Sequence, residues 1–186
     1  MMIHAIAMAV ILQMNNVARA PAADLERAER GVTRLFHDIG VDLTWTASDA
    51  SPATAPPSIR VVLVPYEAGD LRRRPRVVMG AAVVTEQGTR VAYVFYQQVE
   101  AQARQYEVSS AMILASAIAH EVGHLLLPDG QHSPGGLMRA CWTRDDFHRA
   151  EQGRLQFSTE QAALIRGRAA SSQPLVEHES RHRAGQ

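Results

Sequence analysis

His120-Glu121-Val122-Gly123-His124 is an H-E-x-x-H motif, and the residues around it indicate the fold. The preceding run, 109–119, contains Ser, Ala, Met, Ile and Leu without Gly or Pro, which predicts a helix that continues through the motif. Residues four apart share one face of a helix, so the imidazoles of His120 and His124 can converge on one metal ion. Glu121 projects beside them, where it could accept a proton without being a ligand. The motif therefore predicts a zinc site on a helix.

The residues after the motif predict how a third ligand reaches the metal. Catalytic zinc sites usually have three protein ligands and leave a fourth position for water. Pro128 cannot continue a helix and biases the residue before it away from the helical conformation, so the helix should end just after Leu127. Asp129-Gly130 then predicts a turn that brings His132 back toward the ion. The Gly-Gly-Leu-Met run at 135–138 predicts a second tight turn that ends in a Met.

The stretch resembles the metzincin zinc peptidases, whose pattern is H-E-x-x-H-x-x-G-x-x-H followed by a Met-turn. The family's Gly falls at Leu127 and its third His at Gly130, which we interpret as a helix that runs about one turn longer here. The stretch is also similar to small bacterial proteins that carry H-E-x-G-H-L-L-L and then H-S-P-x-G-x-M-R. The residues that match one or both patterns are His120, Glu121, His124, His132, Ser133, Pro134, Gly136, Met138 and Arg139.

The resemblance implies an α+β fold in a single metzincin-like domain over 1–170. The polar composition of 171–186 predicts a disordered tail. Such a domain has a mixed, twisted sheet of about four or five strands, a long N-terminal helix, an active-site helix, a Met-turn and C-terminal helices. In metzincin-like enzymes an edge strand above the cleft pairs with extended substrate. By position that strand is Gly80–Val84, which makes Gly80, Ala81 and Ala82 candidate substrate contacts.

The same interpretation assigns the chemistry. One zinc ion on His120, His124 and His132 would lower the pKa of its water and polarise the scissile carbonyl, and Glu121 would act as general base in peptide hydrolysis. Met138 would form an apolar floor beneath the ligands. Arg139 and Trp142, which follow the turn, are candidates for a wall of the substrate pocket.

Several alternatives remain open. Asp129 or Glu151 could replace His132 as third ligand, although zinc favours a tri-histidine catalytic set. The only Cys, Cys141, is expected to pack beside the site as a small hydrophobe, and the alternative is a fourth metal ligand. The rival function is a zinc-binding interaction module that does not cleave. Glu121 favours the enzyme, because a purely structural site needs no such acid.

Composition limits the possible partners. The chain has 186 residues, of which 46% are hydrophobic and 20% charged, and this fits one globular domain. Its 19 basic and 19 acidic residues give a formal charge of zero, so nothing indicates binding to nucleic acid or to a membrane surface. The one basic cluster, Arg72-Arg73-Arg74 with Arg76, is interpreted as a solvated loop, and the alternative is a patch that faces the substrate. We expect a monomer that acts on a peptide or protein substrate.

The N-terminus permits two interpretations. The apolar run 1–14 followed by Ala18-Arg19-Ala20 resembles a signal peptide with a cleavage site of the A-x-A kind, which would make the protein exported. However, the run lacks Lys and Arg at its start, and Pro21 is unfavourable directly after a cleavage site. We favour a first β-strand at 9–15, as the resemblance also implies.

The remaining elements follow from apolar periodicity and turn residues. Helices are predicted at 21–39, 97–106, 143–151 and 158–170, and strands at 41–46, 59–66, 77–85 and 89–96. The apolar, β-branched strand at 59–66 is expected at the centre of the sheet. The last two strands are expected to form a hairpin.

Overall fold

A computed structural model describes residues 9–47, 58–66, 78–128, 130 and 132–171. The strands are β1 (Ala9–Asn16), β2 (Asp42–Ala47), β3 (Ser58–Val64), β4 (Gly80–Val84) and β5 (Arg90–Phe95). The helices are α1 (Ala22–His37), α2 (Tyr96–Tyr106), α3 (Ser110–Leu126), α4 (Arg144–Glu151) and α5 (Thr159–Ser171). Each predicted element within the described residues is present, and β1 confirms the first strand. The predicted tail beyond 171 and the Arg-rich loop lie outside the described residues.

The strands form one mixed sheet in the order β2-β1-β3-β5-β4. β1 is parallel to β2 and β3, and β3 is parallel to β5. β4 runs antiparallel to β5, which confirms the predicted hairpin, and β3 occupies the central position as expected. The α+β class with a mixed sheet of five strands is therefore observed.

The two longest helices pack closely against each other. On α1, one face is buried by Ala28, Val32 and Phe36, which recur at helical spacing. A Cβ added to Gly31 would lie 2.7 Å from the Cβ of Ala115 on α3, so the glycine permits a close approach of the two helices. This contact fixes α3 against α1, and α3 also packs on β4 and β5.

Helix α3 is the element that carries the candidate site, and it is buried along most of its length. Its first residues are tied to α4, because the Glu151 carboxylate accepts a hydrogen bond of 2.6 Å from the backbone N–H of Ser109. Its end at Leu126 agrees with the stop predicted from Pro128. No helix in the described part of the chain is long and apolar enough to span a membrane.

Helix α4, which was predicted at 143–151, begins with a capping box. The Thr143 hydroxyl accepts from the backbone N–H of Asp146 at 3.4 Å, and the Asp146 carboxylate accepts from the backbone N–H of Thr143 at 2.8 Å. These reciprocal bonds satisfy donors that the start of a helix leaves without partners. The cap fixes where the chain turns after the Met-containing segment.

Candidate metal centre

The three predicted histidine ligands lie together. His120 and His124, one turn apart on α3, bring their Nε2 atoms to 3.0 Å from each other. The ring of His132 approaches from the following loop, with its centroid 5.3 Å from that of His120 and 4.7 Å from that of His124. One ligand nitrogen from each ring lies within 4.8 Å of the others. Among the described residues, only these His, Cys, Asp or Glu side chains form such a group.

Backbone carbonyls orient the two helical rings. His120 Nδ1 lies 2.7 Å from the Leu137 carbonyl oxygen, and His124 Nδ1 lies 2.6 Å from that of Gly130. A carbonyl oxygen can only accept, so we assign the proton of each neutral ring to Nδ1. The Nε2 lone pairs then face each other inside the site. Carbonyl partners of this kind orient metal-binding histidines in general.

This arrangement fits a cation, and zinc in particular. Two inward lone pairs at 3.0 Å repel each other unless a positive charge lies between them. Nitrogens bound about 2.0–2.1 Å from a tetrahedral zinc are roughly 3.3 Å apart, which is close to the observed spacing. The donor set of three imidazoles is the one found in catalytic zinc sites with an open fourth position.

The electrostatics of the rings also favour metal binding. Burial, assisted by the neighbouring His124 and His132, lowers the pKa of His120 to about 4, although the bond to the Leu137 carbonyl opposes the shift. Partial desolvation likewise lowers the pKa values of His124, which is half-buried, and of His132, which remains largely exposed. The rings are therefore neutral at neutral pH, which is the protonation state that binds a metal.

Glu121 is buried beside the histidines, under strand β4. A Cβ added to Gly80 would lie 2.6 Å from Cγ and 2.6 Å from Oε1 of Glu121, so the backbone of β4 passes directly over the carboxyl group. Burial raises the pKa of Glu121 to about 8. A cation nearby would lower this pKa again, because opposite charge favours the carboxylate. The structure thus brings Gly80 of the predicted substrate strand to the predicted general base.

The loop that carries His132 has the turns expected from its glycines. Gly130 has a φ of 55°, a backbone conformation that residues with a Cβ rarely adopt. Its carbonyl oxygen accepts the hydrogen bond from Nδ1 of His124. Gly136 has a φ of 73°, and a Cβ there would lie 2.8 Å from the Gln156 carbonyl oxygen. The Ser133 N–H donates to the Met138 carbonyl at 2.9 Å, which closes the second turn.

Met138 packs under the helix at the glycine of the motif. Its side chain is fully buried, and a Cβ added to Gly123 would lie 2.6 Å from Met138 Sδ and 2.9 Å from Cε1 of Phe157. Gly123 is therefore needed for this packing between the two helical histidines. Sequence reasoning placed Met138 near the ligands, gave no role to the Gly123 of the H-E-x-G-H pattern, and missed Phe157. A signal for this packing was present in the sequence, because a glycine inside a helix usually has a packing or functional reason.

The two candidates for the pocket wall both have partners within the protein. Arg139 Nη1 lies 3.1 Å from Oδ2 of the buried Asp146, so its guanidinium ties the turn to α4. Trp142 donates from Nε1 to the Leu137 carbonyl oxygen at 3.2 Å. A role of either residue in binding substrate stays a prediction. Cys141 is exposed, so the expectation that it packs as a buried hydrophobe is wrong.

Of the alternative third ligands, the Glu151 carboxylate lies at the N-terminal end of α3, far from the histidines. This carboxylate binds the N–H of Ser109, and eleven residues of helix place that point roughly 16 Å from the level of His120. Asp129 lies outside the described residues. His132 is thus the predicted third ligand that the structure brings to the site.

Comparison of the chain with protein-family models gives no match, and comparison with curated proteins gives none either. The metzincin resemblance therefore rests on the motif residues, and it stays a prediction.

Proposed function

We propose that this protein is a zinc-dependent endopeptidase of the metzincin type. The observation that carries the proposal is the set of three converging imidazoles, two of them turned inward by backbone carbonyls, with Glu121 buried beside them. A purely structural zinc site would need no buried carboxyl group next to its ligands. The mixed sheet and the Met-containing turn after the helix agree with such a fold.

His120, His124 and His132 would hold the ion, and the zinc would supply an activated water and a polarised carbonyl. Glu121 would accept the proton of that water and deliver it to the leaving amine. Its position under β4 shields it from bulk water, so the proton transfer would occur in a site of low polarity. Met138 would support the helix from below, through its contact at Gly123.

Strand β4 supports a way to bind the substrate. It is the last strand of the sheet in the described part of the chain, and its first residue, Gly80, lies on Glu121. An extended peptide that pairs with the outer side of β4 would bring a scissile bond toward the general base. Ala81 and Ala82 are half-buried and small, so they would leave room for substrate side chains. The proposal therefore predicts cleavage of extended peptide segments.

Glu121→Gln tests the function most simply. The variant keeps the shape of the side chain and removes its ability to accept a proton, so zinc should stay bound while cleavage of a mixed peptide library is lost. Glu160→Gln, which changes an exposed glutamate on α5, is the matched control and should cleave normally. Cleavage by Glu121→Gln at the wild-type rate would refute the general-base role, and a wild type without zinc would refute the metal site.

A further inference from the structure

The Leu137 carbonyl oxygen accepts hydrogen bonds from two side chains. His120 donates from Nδ1 at 2.7 Å, and Trp142 donates from Nε1 at 3.2 Å. A carbonyl oxygen has two lone pairs, so these donors fill its capacity. The carbonyl that orients His120 is thus shared with a residue outside the group of three histidines.

The Trp142 indole is held between the site and a packed aromatic cluster. Its ring lies edge-to-face against His120, with centroids 6.0 Å apart at 79°, and against Phe147, with centroids 5.7 Å apart at 74°. Phe147 is buried on α4 and stacks on Tyr106 with centroids 4.3 Å apart. The indole is therefore fixed on the side away from the histidines.

We propose that Trp142 is a positioning residue for the metal site, which holds the Leu137 carbonyl and the His120 ring so that His120 Nε2 points at His124 and His132. This inference rests on the proposed zinc site and adds a residue that acts on a ligand through another group. It also gives Trp142 a role different from that of a pocket wall.

The physical reason is geometric. A carbonyl oxygen accepts hydrogen bonds over a broad range of directions. With a single donor, the imidazole N–H can therefore approach the oxygen from a range of angles. The indole N–H occupies the second direction and keeps water from it, which confines the His120 N–H to the first. The two rings also lie edge-to-face, with centroids 6.0 Å apart, so the indole limits the space in which the His120 ring can turn.

The expected effect on zinc binding is moderate. Loss of a direct partner of a metal-binding ligand typically costs roughly 10- to 100-fold in metal affinity. Trp142 acts through Leu137, and the His120 bond to the carbonyl remains after its removal. We therefore expect Trp142→Phe to weaken zinc binding by about 3- to 10-fold.

The second Trp of the chain provides a matched control. Trp45 also donates one hydrogen bond from its indole, to Oγ1 of Thr33 at 3.0 Å, and neither residue belongs to the three-histidine group. Trp142→Phe and Trp45→Phe remove the same N–H and keep an aromatic ring. Zinc affinity is measured by competition with a chromogenic chelator. In the metal-free protein, NMR follows the exchange of the His120 Nδ1 proton with water.

The inference predicts weaker zinc binding and faster proton exchange in Trp142→Phe, with neither change in Trp45→Phe. Wild-type affinity and exchange in Trp142→Phe, or equal losses in both variants, would overturn it. If Trp142→Phe does not fold, benzothienylalanine at 142 in the Trp45→Phe background keeps the shape of the indole without its N–H, and the same readouts apply. A wild type that binds no zinc would refute the proposed function, whereas the exchange comparison would still decide whether Trp142 holds His120.

Discussion

His120 and His124 are fixed by the body of the protein, whereas His132 is carried by a short loop. The helix half of the site, His120 and His124 on α3, lies in a helix packed against α1 and the sheet. The turn half, residues 132–139 with His132, is held by backbone hydrogen bonds and by the Arg139–Asp146 ion pair. His120 is buried and His132 is exposed. Apolar packing therefore holds two of the proposed ligands in place, while the third depends on polar contacts.

The largest expected effect is on zinc affinity, which should fall more when a histidine of the helix half is removed than when His132 of the turn half is removed. His120→Ala removes a buried ligand that is already oriented, and we expect a loss of about 1,000-fold or more. His132→Ala removes an exposed ligand from the loop, and we expect a loss of about 100-fold. Competition titration with a chromogenic chelator measures both losses.

Two controls accompany these variants. His37→Ala removes an exposed histidine whose Nδ1 lies 3.7 Å from Oδ1 of Asp42. This variant should bind zinc as the wild type does. Asp129→Ala should scarcely change the affinity. A greater loss in Asp129→Ala than in His132→Ala would mean that the third ligand is wrong. A stoichiometric zinc content in His120→Ala would remove the helix half from the site.

The next effect concerns the packing of the helix half. Gly123→Ala would press a methyl group against Met138 and Phe157, so we expect a loss of about 2–3 kcal/mol in the free energy of unfolding. Gly167→Ala is the matched control, because this helical glycine has nothing within 4 Å of an added Cβ. It should gain up to about 1 kcal/mol from helix propensity. Urea denaturation measures both, and a Gly123→Ala protein as stable as the wild type would contradict the packing.

The smallest effect concerns the charge that anchors the turn half. Burial alone would raise the pKa of Asp146, but hydrogen bonds from Thr143 and Arg139 outweigh it and lower the pKa. The carboxyl pKa of Asp in the unfolded chain is about 3.9, and a lower pKa in the folded protein stabilises the fold at pH values above it. This stabilisation is lost as the pH falls through the pKa of the folded protein. Asp146→Asn should therefore cost about 1 kcal/mol at pH 7, since Arg139 is partly exposed, and less below about pH 4.

Asp145→Asn is the control for this pH dependence, because Asp145 is an exposed neighbour in the same helical turn. It should change the free energy of unfolding by less than Asp146→Asn at pH 7. Denaturant unfolding at a series of pH values compares the two. A cost for Asp146→Asn that stays constant down to pH 3 would mean that charge does not hold the turn.

The two halves also differ in how far the sequence predicts them. The helix half follows from apolar residues before the motif and from histidines four apart, because both properties are local. His132 follows from Pro128 and Gly130, whose effects on the backbone are also local. The same kind of signal located β4 and helix α4.

Contacts between distant segments were not predictable in this way. The Leu137 carbonyl that orients His120 has no sequence signature, because every residue carries a carbonyl. Gly80 and Glu121 meet only when β4 passes over α3, so their contact depends on the tertiary structure. The buried or exposed state of Cys141 depends equally on how the turn lies on the protein, and there the sequence interpretation was wrong.

X-ray absorption spectroscopy of the zinc-loaded protein tests the three-histidine centre, because it reports the ligand atoms themselves. We expect one zinc per chain with three imidazole nitrogens and one further oxygen at about 2.0–2.1 Å, in tetrahedral geometry. Sulfur at about 2.3 Å would instead place Cys141 on the metal, and fewer than three imidazoles would remove His132 from the ligand set. Either result, or a protein that retains no zinc, would contradict the proposed centre.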